Sequence, residues 1–174
     1  MSGHRGVRVA GVVALMALVG CSADPGAGYS FGSSYDTSVK TVSVPIFANE
    51  TFETGLETEL TEAIIKRIQR DTPWKVTTTE GAETRLTGSI TEAALHAVSR
   101  ARGTGLVQEL TYEITVDFDW RDNRSGESLV ERRKFTGVGA FVPALGSGER
   151  VEVGRREAIE ELAHDIVAEL RSDW

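Results

Sequence analysis

Few residues of this chain have the type and spacing that chemistry needs. The first is Cys21, the only cysteine among 174 residues. A single thiol excludes an internal disulfide and a cysteine-built zinc site. It follows an uncharged apolar run, Val9 to Val19, and a basic stretch containing Arg5 and Arg8. That run falls well short of the roughly 20 residues that a membrane-spanning helix needs, and it has the length of a secretory h-region. Leu18-Val19-Gly20-Cys21 then sets a large aliphatic residue three positions before the cysteine and a small residue directly before it. The tetrad reads as a lipobox: the thiol takes a diacylglyceryl group, cleavage falls before Cys21, and the new amine is acylated. A secretory signal with an incidental cysteine is the competing reading. Ser22, not Asp, follows Cys21, which favours sorting to the outer membrane. Several acyl chains anchor stably, because each buried methylene contributes about 0.8 kcal/mol. The expectation is a protein anchored by lipid to the outer membrane, on its periplasmic side.

The densest basic run is Glu131-Arg132-Arg133-Lys134. If Leu129 and Phe135 face a core, Arg132 and Lys134 point outward, toward Glu113 or Asp117 on a partner strand, and Arg133 points inward with Glu131. Cross-strand charge pairing, worth roughly 0.2–1 kcal/mol per pair, is one reading. An anionic lipid headgroup or phosphate held by Arg132, Arg133 and Lys134 is the other. Asp117 and Asp119 project from the same side of one strand. Paired carboxylates can do acid–base work, but the same alternation also makes a solvated face. His96 and His164 are the histidines beyond the signal, and no HExxH or CxxC accompanies them. A transition-metal site is therefore not expected. Gly28-Tyr29-Ser30-Phe31-Gly32 matches G-x-S-x-G, yet a nucleophile elbow needs a strand before it and a helix after it. Tyr29 and Phe31 are read instead as pinning a leader onto the domain. Gly146-Ser147-Gly148 is too short for a phosphate loop and lacks the lysine of one. The expectation is no catalytic residue, no metal and no cofactor. A formal charge of −7 removes generic nucleic-acid binding, which needs a basic footprint, and 40% apolar content removes wholesale disorder.

These residues need elements to position them. Residues 1–20 read as the signal peptide, 21–37 as a Gly/Ser/Asp-rich tether, and 38–174 as one domain. Val39 to Phe47 alternates, with Val42, Val44 and Ile46 on one face, and Pro45 puts the strand's end at a sheet edge. Thr54-Gly55-Leu56-Glu57 fits a capping box, with Thr54 as the cap. Leu56, Leu60, Ala63, Ile64 and Ile68 then follow helical spacing until Pro73. Trp74 to Thr79 and Thr84 to Ile90 read as strands. The apolar parity then switches to Ala93, Leu95 and Ala97, which a bulge near Thr91-Glu92 would produce, although a short helix also fits. Leu106 to Arg121 alternates as a long strand with one buried and one wet face. Asp122 to Gly126 turns, and Leu129 to Phe141 returns. Ile159, Leu162, Ala163, Ile166, Val167 and Leu170 form the stripe of a final helix. The pattern predicts an α+β two-layer sandwich, two amphipathic helices packed on one face of a mixed four- to five-stranded sheet.

Several segments together resemble the LptE family of lipopolysaccharide-assembly lipoproteins. After the lipobox, Gly28-Tyr29-Ser30-Phe31 is similar to that family's early G-Y-x-F element. Val42-Ser43-Val44-Pro45-Ile46-Phe47-Ala48-Asn49-Glu50-Thr51 resembles its V-x-V-P-x-F-x-N-x-T strand end. Leu56 to Ala63 resembles its first helix, and Leu86-Thr87-Gly88-Ser89-Ile90 its next strand. The resemblance implies a plug for the lumen of an outer-membrane β-barrel, LptD, and a part in placing lipopolysaccharide in the outer leaflet. It brings no catalytic residues. The polar side of residues 109–119 would suit a wet barrel interior. A curli-secretion or penicillin-binding-protein-activator lipoprotein, acting as a pore-forming or interaction module, is the alternative. A lipid-anchored hydrolase would need a nucleophile–base pair that the sequence does not show.

Overall fold

A computed structural model of the protein describes residues 39–100, 102–103, 107–143 and 149–172. Cys21, the tether, the Gly28–Gly32 motif and Gly146–Gly148 lie outside the described residues. The elements are β1 (Thr41–Ser43), β2 (Ala48–Asn49), α1 (Leu56–Asp71), β3 (Lys75–Val76), β4 (Thr84–Arg100), β5 (Val107–Asp122), β6 (Ser128–Phe141) and α2 (Glu149–Ser172). The sheet order is β3-β1-β4-β5-β6, and β2 pairs with β4 beyond β1. β1 runs parallel to β3 and β4, β2 runs parallel to β4, and β4, β5 and β6 are antiparallel. The predicted α+β sandwich is present, with six strands and not four or five.

Strict alternation in β5 aims Tyr112, Ile114, Val116, Phe118 and Trp120 at the helices, and all five are buried. From α1 come Leu56, Leu60, Ile64 and Ile68, and from α2 Leu162, Ile166 and Leu170. At one end of the layer Trp74 and Trp120 lie with ring centroids 5.2 Å apart. Gly88 leaves room for Phe47, whose ring would overlap any Cβ there. Gly139 faces Gly154, and a Cβ on Gly139 would overlap the Gly154 carbonyl oxygen. The backbones of β6 and α2 therefore approach as only glycine permits.

Four expectations change in detail. Strand 39–47 is interrupted: β1 stops at Ser43, the sheet resumes at Ala48, and Ile46 is exposed while Phe47 is buried. Pro45 cannot donate to a ladder, so the alternation resets there. Gly55, with φ 95°, precedes α1 in place of Thr54, and no side chain caps it. Glu57 does reach back, accepting the Gly55 N–H at 3.1 Å. The Trp74–Thr79 strand shrinks to two residues before a 3₁₀ turn at Thr79–Gly81. β6 enters in the opposite phase: Val130, not Leu129, is buried. The bulge near Thr91 is present, with Ile90 opposite Val116 and Glu92 opposite Thr115, so β4 continues as strand to Arg100.

Candidate interaction surfaces

The wet face of the sheet is built around Asp117. Between Val116–Phe135 and Phe118–Arg132 the β6 strand carries one extra residue. That bulge puts Lys134 in the left-handed region, φ 51°. Asp117 stabilises it: one carboxylate oxygen accepts the Lys134 N–H at 2.8 Å and the other accepts from Arg133 at 3.1 Å. The Lys134 amide and then the Arg133 guanidinium hold the Asp117 carboxyl below its usual range. Arg133 also donates to Glu131 at 2.8 Å. Asp119 accepts from Ser128 at 2.6 Å and pairs with Arg121. Thr87, Ser89, Asp117, Asp119 and Arg133 line a shallow depression of about 240 Å³. Asp117 and Asp119 are each engaged by neighbouring donors.

The basic triplet does not converge. Arg132 lies on the helix side, with Glu169 of α2 at 2.6 Å. Arg133 lies on the wet face between two carboxylates, and Lys134 is exposed at the bulge. The expected orientation, Arg132 outward and Arg133 inward, is reversed because β6 enters one residue out of the anticipated phase. His96 sits 3.9 Å from Glu113, and His164 contacts Arg67. Arg67 also pairs with Asp71. Among the described residues no group of three or more His, Cys, Asp or Glu could hold a metal ion.

A second surface escaped the sequence reading. The segment after β2 is tied together by Asn49. Its side chain accepts from the Thr51 N–H at 2.9 Å and the Thr51 hydroxyl at 2.8 Å. It donates to the Glu53 carbonyl and to the Glu57 carboxylate, each at 2.7 Å. Hydrogen bonds from the backbone and Asn49 hold the Glu57 carboxyl below its usual range. Glu53 accepts from the Tyr112 hydroxyl, and burial followed by that carboxylate raises the phenol's pKa. On this fastened loop Phe52 is fully exposed, at 106%. Beside it β4 loses its outer neighbour: β2 pairs only with Ser89 and Ile90. Beyond Ile90, β5 is the one strand on β4 among the described residues. Leu95, opposite Tyr112, is 48% exposed and Val98 57%. The Asn49-x-Thr51 spacing is an Asx-turn signal that could have revealed the loop. Nothing local marks Phe52 or Leu95 as exposed.

Two helices layered on one face of an open mixed sheet define the chain's class as a small α+β domain. The LptE lipopolysaccharide-assembly family model matches residues 39–172, and the chain belongs to that family. Among curated proteins, none matches the chain. Among solved structures, protein XCC0632 from Xanthomonas campestris is similar with TM-score 0.56 and 8% identity, over 80% of this chain and 89% of that one. The hypothetical protein CT253 from Chlamydia trachomatis is similar with TM-score 0.54 and 12% identity, over 78% and 97%. Both likenesses concern the fold alone. No described helix is long and apolar enough to cross a membrane.

Proposed function

We propose that the chain is a non-catalytic outer-membrane lipoprotein, anchored through Cys21, that plugs and supports assembly of an LptD-type β-barrel during lipopolysaccharide transport. Family membership over residues 39–172 carries this reading. The architecture supports it: one sheet face is covered by helices, while the other presents carboxylates, hydroxyls and guanidinium groups to water. A polar face of that kind suits a water-filled barrel lumen. Direct lipopolysaccharide contact through Arg132, Arg133 and Lys134 would have to come from Lys134 chiefly, because Arg132 and Arg133 already neutralise Glu169, Glu131 and Asp117.

The test is co-isolation. The full-length chain with a C-terminal tag is expressed in its native host and taken from the outer membrane in mild detergent. A stoichiometric large β-barrel protein is expected. Recovery of a peptidoglycan synthase, or of a ring of the chain itself, would replace the reading with the curli-secretion or synthase-activator alternative. Charge reversal at Lys134 is expected to weaken lipopolysaccharide binding, and unchanged binding would remove the residue from consideration.

A further inference from the structure

We infer that the outer edge of β4 over Thr91–Ala97, which carries no further strand among the described residues, binds, together with Phe52, an extended segment of the barrel subunit by strand addition. The inference rests on the proposed barrel partnership and names the surface that partnership uses. An unpaired edge offers a row of N–H and C=O groups, and the chemistry that satisfies them is another extended polypeptide. Monomeric proteins usually guard such an edge with inward charges, proline or a covering element. Here Glu92 is the one charged residue between Thr91 and Val98, and Ala93, Ala94 and Ala97 leave the backbone accessible.

Phe52 adds an apolar anchor. Glu50 donates its N–H to the Ile90 carbonyl at 2.9 Å, so the loop leaves the sheet where the free edge begins. Glu53 of that loop reaches Tyr112, the residue opposite Leu95. Phe52, adjacent to Glu53, and Leu95, opposite Tyr112, are thus linked through the Glu53–Tyr112 hydrogen bond. A loop held by Asn49, Glu57 and Tyr112 presents the Phe52 ring with little ordering left to be done on binding.

Two other occupants fit less well. A second copy paired over the about seven residues between the bulges at Thr91 and Val98 would rest on that strand alone, whereas a barrel that holds the domain in its lumen, as proposed, adds contact beyond the strand. At the start of the described residues Lys40 donates its N–H to Glu83. Leu95 lies roughly 40 Å further along the sheet at about 3.3 Å per residue. A leader doubling back would use most of residues 22–38 before reaching it.

The experiment uses the full-length tagged chain in its native host. A photo-crosslinking residue replaces Leu95, and separately the double variant Phe52→Ser, Leu95→Lys is isolated. Both positions are exposed, so the variants should keep the wild-type circular dichroism spectrum. The expected results are an adduct between position 95 and one extended segment of the barrel protein, and at least a tenfold fall in barrel recovered with the double variant. An adduct to a second copy or to residues 22–38, or full barrel recovery with the double variant, overturns the inference. Failure of the wild-type chain to co-isolate any barrel would instead overturn the proposed function.

Discussion

At Thr84–Arg85 and again at Ser89–Ile90 β4 lies between two strands, and at Gly88 it lies against Phe47; from Thr91 to Arg100 it has β5 alone among the described residues. Both halves belong to one strand of one hairpin, and both alternate apolar with polar or small residues. In the first half Leu86 and Ile90 are completely buried, whereas in the second Leu95 is half-exposed. The difference comes from coverage, not composition. β1 and β2 stop by Ile90, and at the level of Leu95 α2 packs on β6 at Gly139, two strands away, so similar patterning stabilises one half of β4 and leaves the other available.

Equivalent substitutions should expose this contrast, all read by urea unfolding of the detergent-solubilised full-length chain. Leu86→Ala removes a fully buried side chain and should cost about 2–5 kcal/mol. Gly139→Ala drives a methyl group into the α2 backbone at Gly154 and should cost about 1–3 kcal/mol. Asn49→Ala removes four hydrogen bonds from the loop that carries Phe52, and a loss of about 1–2 kcal/mol is expected. If Asn49→Ala leaves stability unchanged, the loop is not fastened as described. Leu95→Ala should change stability by under about 0.5 kcal/mol, since the side chain covers little. A large Leu95 effect would erase the distinction between the halves.

Acid sharpens the comparison on the wet face. The Asp117 carboxyl titrates below its ordinary value of 3.8 in the folded chain. Its stabilisation is therefore complete above the unfolded value and is lost as pH falls through the lowered folded one. Asp117→Asn should lower stability at pH 7 and flatten the loss below about pH 4, as followed by circular dichroism during acid titration. An unchanged acid limb would mean that Asp117 does not hold the Lys134 bulge.

Much of the fold was legible. The period-two run in β5 predicted which residues meet the helices, and the parity switch after Ile90 predicted the bulge. The phase of β6 was not, because Leu129 and Val130 are adjacent and apolar, and either could have faced inward. What decides it includes the Arg132–Glu169 pair, formed between residues 37 apart. The same reversal separated the basic triplet across two faces. Ile46 and Phe47 exchanged places because Pro45 broke the ladder, and periodicity does not carry across such a break. Thr54 lost its capping role to the left-handed Gly55, while Asn49 and Gly55 both take hydrogen bonds with Glu57. Phe52 and Leu95 were invisible as a surface because their exposure depends on where other elements end.

The parallel pairing of β1 has a consequence for the order of assembly. Its partners are Lys75 and Val76 on one side and Thr84 and Arg85 on the other, so no neighbour in the chain can complete it. The β4–β5–β6 meander, by contrast, can zip from its turns. Closing a loop of this length costs entropy before any contact compensates, so non-local strands join late. Synthesis delivers Thr41–Ser43 before either partner exists. The described strand closest in sequence to Cys21 is thus the first made and among the last secured.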